Sequence, residues 1–303
     1  MTDLTVFQQK LADLLPDMKL LFQEPLSKHT SFRIGGPAEV MAFPKNEAEL
    51  SKLLKTSTIL DCKPVILGAG TNVLAPDAGM PGLVICLKDA LDGITRLDDT
   101  TVRVMAGVTM TRAAVYAANL GLSGMEFAHG IPGTMGGGVY MNAGAYGGEL
   151  CQICKQVAVM DMAGNTRVFS TEEMAFSYRH SRLEEEPGIV LYADCGLTPA
   201  PTTQIKEKMQ ELMNKRKASQ PLEYPSAGSA FKRPVGGYAA ALIDRTGLKG
   251  FRIGDAAVSE KHAGFVVNLG NATAKDVLTL LRQVSDRVYA ASGIRLEPEV
   301  RIW

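Results

Sequence analysis

The chain has 303 residues, 46% of them hydrophobic and 21% charged, with 32 Lys and Arg against 32 Asp and Glu. That is enough for two domains, or one large one, with an ample apolar core. A zero net charge lacks the basic excess of a nucleic-acid binder, and no apolar run reaches the length of a membrane span. The first residues show no basic stretch followed by an apolar one, so a cytoplasmic protein is expected.

Taken in order, Leu4, Phe7, Leu11, Leu14 and Leu15 fall at helical spacing until Pro16 ends the run. Residues 27–37 form a loop closing on a glycine pair, and Glu39–Phe43 is a short strand. Asn46 is a helix cap with an acidic residue three positions on, opening a helix to about Thr56. Pro64–Leu67 is a strand that runs into Gly68, Ala69, Gly70, Thr71 and Asn72, and Leu83–Leu87 is another. Thr101–Ala106 alternates as a strand. Thr109 caps a helix to Leu120, with Gly121 as its left-handed stop. Val157–Met162 and Thr166–Phe169 read as a hairpin about Ala163–Asn165.

Ile189–Leu197 is a strand, Thr198–Thr203 marks a domain boundary, and Gln204–Ala218 is a helix with a solvated, charged face. Residues 222–234 form a loop, Ala239–Arg245 a short helix and Phe265–Asn268 a strand. Thr273 caps an amphipathic helix to about Ala291, whose apolar face carries Val277, Leu280, Leu281, Val284 and Val288. Ile294–Trp303 is a final strand. The five cysteines, an odd number, argue for reduced thiols. The Cys151–Cys154 spacing lacks a second ligand pair for zinc, so no metal site is expected.

The stretch around which the rest is organised is Gly130–Gly148. Eight of its nineteen residues are glycine and none is charged. Glycine loses the most backbone freedom on ordering, so the composition argues against helix or strand. Ile131, Met135, Val139, Tyr140, Met141 and Tyr146 make it too apolar for a flexible linker. It reads as a buried, ordered loop whose main chain approaches a phosphate-bearing cofactor. The loop at Gly68–Asn72 is not a dinucleotide fingerprint, because no third glycine opens a helix after it.

Seven stretches, His29–Gly36, Gly68–Leu74, Gly130–Gly137, Met141–Gly147, Ser177–Ser181, Ala227–Lys232 and Leu296–Val300, together resemble the UDP-N-acetylenolpyruvoylglucosamine reductase family and stand in that family's order. The resemblance spans nearly the whole chain. It implies an α+β fold: a two-subdomain FAD-binding region of the p-cresol methylhydroxylase and vanillyl-alcohol oxidase type, residues 1–200 with subdomains of about 1–89 and 90–200. A smaller substrate-binding domain, 201–303, follows. The resemblance further implies non-covalent FAD, NADPH as its reductant, and a UDP-sugar enolpyruvyl ether as substrate.

By the same resemblance Ser229 is the proton donor, Arg179 holds the substrate carboxylate, and Glu299 steadies the charge that forms. Flavin contacts are expected from Arg33, from Gly68, Ala69, Gly70, Thr71 and Asn72, from Gly133, Thr134, Gly136 and Gly137, and from Asn142, Ala143 and Gly144. Tyr178, Lys232 and Asn268 are expected at the uridine diphosphate. Two departures stand out: Thr71 replaces a common serine, and Arg233 follows Lys232 where many relatives have asparagine. No substrate-lid insertion is evident, which places the chain in the shorter subfamily. Two alternatives stay open: an oxidase with FAD attached at His129, and a non-catalytic nucleotide-binding module.

Overall fold

A computed structural model describes residues 4–88 and 90–303. It contains two compact units that do not follow the chain in simple order. One takes the chain up to Phe22 with Glu39–Ala69 and Gly82–Lys215; the other takes Gln23–Ala38, Gly70–Pro81 and Arg216–Trp303.

One four-stranded sheet, made mostly of first-unit residues, is ordered Lys19–Pro25, Pro37–Phe43, Met80–Cys86, Val65–Leu67. Its last pair is parallel, Val65 to Val84 through Leu67 to Cys86. A second sheet is ordered Thr166–Ser170, Cys154–Asp161, Gly188–Gly196, Thr101–Met105, Ile94–Arg96, antiparallel throughout. The helices Val6–Leu14, Glu47–Ile59 and Met110–Asn119 contribute apolar faces to one core that includes Leu11, Leu50, Leu54, Val104, Ala113 and Val157. The second unit has an antiparallel sheet ordered Ser226–Ser229, Phe265–Asn268, Ala256–Val258, Arg252–Ile253. The helix Ala274–Ser292 buries Val277, Leu280, Leu281, Val284 and Val288, as its spacing predicts.

Three sequence expectations are corrected. Gly130–Gly148 is not a loop throughout: Met135–Tyr140 is a helix of six residues. Packing decides here against propensity. A Cβ at Gly136 would lie 3.0 Å from Ala106 Cβ, and one at Gly138 would lie 2.9 Å from Met110 Sδ. Glycine at those two positions lets the helix sit close to its neighbours. Residues 222–234 contain a strand, Ser226–Ser229, because Ser226 pairs with Val267 and Ser229 with Phe265. The final strand shrinks to Arg301–Ile302. Pro298, which has no N–H to give a ladder, makes only an isolated bridge with Phe231.

Candidate active site

The glycine segment builds the first unit's share of candidate chemistry. Thr134, 3% exposed, opens the short helix and bridges to Thr109. Met135 N–H donates to Val108 O at 2.8 Å and Gly136 N–H to Ala106 O at 2.9 Å, so both are committed to the fold. Gly137 differs from its neighbours. A Cβ there would meet nothing nearer than Thr134 Oγ1, at 3.8 Å, and one at Gly68 would meet only that same oxygen, at 3.0 Å. The N–H groups of Gly133, Thr134 and Gly137 find no acceptor among the described residues. Uncommitted N–H groups on a surface stripped of side chains suit an anion as bulky as a pyrophosphate. The residues present therefore fit the phosphate portion of FAD.

Tyr178 and Arg179 occupy the middle of a closed turn in the same unit. Ser177 and His180 exchange both backbone hydrogen bonds, each 3.2 Å. Tyr178 is 47% exposed, and the Arg179 guanidinium carbon lies 5.0 Å from its ring centre. Arg179 Nη2 donates to Gly144 O at 3.1 Å. Its backbone is left-handed, φ +55°. Arginine has no intrinsic liking for that region, where such strain is a recurrent mark of functional positions. Asn142 is fully buried, also left-handed at φ +42°. Its amide nitrogen donates to Glu149 Oε2 and Ser177 O, and its Oδ1 accepts from Cys151 N–H. Ala143 N–H donates to Gly138 O.

The second unit holds Ser229, Glu299 and Lys232 on adjoining segments. Register slips between Ser226 and Ser229, with Gly228 at φ +79°. A bulge of this kind re-aims the side chain beyond it, and Ser229 is exposed. Ala230 N–H donates to Gly264 O at 2.8 Å, while Ala230 O accepts from Glu299 N–H at 2.9 Å. Lys232 N–H donates to Glu297 O at 2.9 Å. Ser229 and Glu299 are thus carried on paired backbone. The two glutamates part company: the Glu297 side chain is 76% exposed and lies 4.0 Å from Lys232 Nζ, whereas Glu299 is half-buried.

Gly70, at φ +63°, must be glycine, because a Cβ would fall 2.1 Å from His29 O. Half-buried Thr71 follows it. Asn72 Nδ2 donates to Glu299 O at 3.3 Å, and Asn72 O accepts from Arg301 N–H at 2.9 Å. Arg33 is exposed and left-handed, φ +55°. Asn268 is 2% exposed; its amide donates to Phe32 O and accepts from Gly270 and Ala272 N–H. That side chain is engaged in holding its own unit together.

All five cysteines are free. Burial pushes the Cys154 thiol up to about 12, with nearby Asp194 adding to the shift, and burial raises Cys195 as well. Those are inert packing thiols rather than a redox pair. Sequence reasoning missed Glu149 and Ser181. Ser181 Oγ donates to Tyr140 O at 2.8 Å. Glu149 had one usable signal, being the first charge after the uncharged glycine stretch.

Comparison with known proteins accords with this arrangement. Residues 38–170 match a family profile described as FAD binding domain, and residues 220–303 match one described as UDP-N-acetylenolpyruvoylglucosamine reductase, C-terminal domain. The chain is 45% identical to UDP-N-acetylenolpyruvoylglucosamine reductase of Agathobacter rectalis, over 98% of each chain. It is also 45% identical to that of Caldanaerobacter subterraneus subsp. tengcongensis, again over 98% of each. The crystal structure of UDP-N-acetylenolpyruvylglucosamine reductase from Thermus caldophilus superposes with a TM-score of 0.79 at 36% identity, covering 94% of this chain and 98% of that one. This chain belongs to the UDP-N-acetylenolpyruvoylglucosamine reductase family.

Proposed function

We propose that this chain is an FAD-dependent oxidoreductase that reduces UDP-N-acetylglucosamine enolpyruvate to UDP-N-acetylmuramate in peptidoglycan precursor synthesis. The observation that carries the reading is the 45% identity to reductases of that name over 98% of the chain. The FAD-binding role belongs to about residues 1–200 and substrate binding to 201–303, and the enzyme works in the cytoplasm with NADPH as reductant.

The reaction adds a hydride to the terminal vinyl carbon and a proton to the carbon bearing the carboxylate. When bound, FAD supplies the hydride. The protein has to hold the carboxylate, steady the negative charge that spreads into it, and deliver the proton. The planar Arg179 guanidinium takes the carboxylate through two parallel hydrogen bonds. Glu299 polarises the same end of the intermediate. Ser229 Oγ–H gives its proton to the substrate carbon, and its exposure at the end of a bulged strand leaves it open to a ligand. Main-chain N–H groups near Gly133–Gly137 hold the FAD pyrophosphate without a covalent link, and Arg33 adds a cation. Tyr178 and Lys232 contact the uridine diphosphate.

Purified protein should be yellow, and acid should release free FAD. NADPH should be consumed steadily only when the enolpyruvyl sugar nucleotide is present. Ser229→Ala should keep the flavin spectrum and flavin reduction while product formation falls roughly 10²–10⁴-fold, the usual worth of a positioned proton donor. Unimpaired turnover in that variant removes Ser229 from the role.

A further inference from the structure

The turn that presents Tyr178 and Arg179 is fastened to the last residue of the glycine helix and the segment following it by three hydrogen bonds. Asn142 Nδ2 donates to Ser177 O at 3.0 Å, Arg179 Nη2 to Gly144 O at 3.1 Å, and Ser181 Oγ to Tyr140 O at 2.8 Å. The Ser177 carbonyl is the pivot, since it also accepts the His180 N–H that closes the turn. A left-handed arginine keeps its φ of +55° only while its surroundings dictate it.

Asn142 is suited to that work. Asparagine tolerates left-handed backbone better than most residues, and Asn142 sits there with φ +42° and no exposure. Both hydrogens of its amide are used inside the protein, one on Ser177 O and one on Glu149 Oε2 at 2.9 Å, and its oxygen receives Cys151 N–H at 2.9 Å. With its donors committed, the side chain acts on the reaction through what it holds.

We propose that Asn142 is a positioning residue for Arg179, setting the Ser177 carbonyl and with it the turn that aims the guanidinium. The inference rests on Arg179 as the carboxylate-binding group and extends that reading to the residue that places it. Glu149 supports Asn142 by accepting the other hydrogen of its amide.

Two variants test it. Asn142→Asp keeps the size, the backbone tolerance and the acceptor for Cys151, but turns an acceptor toward Ser177 O and Glu149. In Asn142→Asp/Glu149→Gln the bond between positions 142 and 149 returns with donor and acceptor exchanged, while Ser177 O still lacks its amide donor. A merely structural role makes stability and rate recover together; a positioning role separates them. The melting temperature of the FAD-free double variant should return toward wild type. Anaerobic reoxidation of chemically reduced FAD by the enolpyruvyl sugar nucleotide should remain roughly 10- to 100-fold slow, the penalty for displacing a reacting partner by about an ångström. Amide hydrogen exchange across 176–182 should stay fast.

Asn142→Gly adds no charge, accepts the same φ, and should show the same slow reoxidation. Arg179→Ala is measured alongside. If Arg179→Ala reoxidises at the wild-type rate, the role of Arg179 fails. If Arg179→Ala is slow while Asn142→Gly or the double variant matches wild type, the positioning role of Asn142 is overturned and Arg179 stands.

Discussion

Replacing Gly136, Gly137 and Gly138 by alanine, one at a time, separates what the fold requires from what a cofactor requires. Inside a helix alanine is favoured over glycine by up to about 1 kcal/mol. At Gly137 a Cβ would meet only Thr134 Oγ1, 3.8 Å away, so nothing in the protein opposes that gain. FAD-free Gly137→Ala should melt at or above the wild type, by up to about 2–4 °C. At Gly136 the new Cβ would lie 3.0 Å from Ala106 Cβ and 3.3 Å from its carbonyl oxygen, neither of which yields easily. Overpacking costs roughly 1–3 kcal/mol, which exceeds the propensity gain, so Gly136→Ala should be destabilised by up to about 2 kcal/mol. At Gly138 the obstacles are Met110 Sδ at 2.9 Å and Leu150 Cδ1 at 3.0 Å, the ends of flexible side chains, and the two effects should nearly cancel. Flavin affinity should rank the variants differently. Gly137→Ala places a methyl group on the surface bearing the uncommitted N–H groups, and a loss of only about 1.4 kcal/mol there means tenfold weaker binding. Thermal unfolding without FAD and titration by flavin fluorescence measure the two properties apart. A Gly137→Ala protein that melts lower, or that binds FAD as well as wild type, refutes the assignment of that bare face to the cofactor.

Two further outcomes follow from buried polar chemistry. Arg103 grips Asp194 through two bonds, Nε to Oδ1 at 2.7 Å and Nη2 to Oδ2 at 2.8 Å, and Gln156 adds a third at 2.7 Å. Burial alone would raise the Asp194 pKa, but the bonds from Arg103 and Gln156 outweigh it and hold the carboxyl below its usual range. The stability this contributes is complete above the unfolded value of about 3.9 and is lost as pH falls through the lower folded value. Asp194→Asn should lose roughly 3 kcal/mol at pH 7, the low end for a broken buried pair because the Arg103 side chain is 32% exposed. In urea unfolding the gap to wild type should narrow at about pH 3 or below, and a gap unchanged by pH would sink the argument. Burial raises the Cys62 and Cys151 thiols as well, so alkylation of the native protein near pH 8 should be slow, but it should reach these two half-buried cysteines well before Cys154 and Cys195, which are buried outright and raised further; peptide mapping that finds Cys154 labelled first would contradict it.

What could be read from sequence was local, and what could not was decided at a distance. Asn46, Thr109 and Thr273 were legible as helix caps because a cap involves residues two or three apart, and they accept from Glu49, Arg112 and Asp276 N–H. The hairpin about Ala163–Asn165 was legible for the same reason. The helix at Met135–Tyr140 was not, since the justification for its glycines lies at Ala106, Met110 and Leu150. The strand carrying Ser229 depended on Phe265, and the length of the last strand on Pro298. The candidate site was legible through residue types in a familiar order, but two asparagines show the limit of that route. Nothing in the sequence told that the Asn142 amide would be used on Ser177 and Glu149, or that Asn268 would be buried against Phe32.

The left-handed residues show where the first unit concentrates its strain. Eight non-glycine residues have positive φ among those described: Gln23, Arg33, Asp61, Leu91, Asn142, Tyr146, Ala175 and Arg179. Four of the eight lie in two short segments, 142–146 and 175–179, and those segments are joined by the Asn142 to Ser177 and Arg179 to Gly144 bonds. Each such residue costs about 1–2 kcal/mol over a glycine or an extended conformation. Backbone need alone would favour glycine at all four, and glycine is plentiful nearby. Its absence at Arg179 is what the proposed use of that side chain requires, and the bonds at Ser177 O and Gly144 O help to hold the residue there. At Asn142 the tolerated backbone and the useful amide coincide in one residue type. That makes Asn142 the lower-strain member of the pair and the natural support for Arg179.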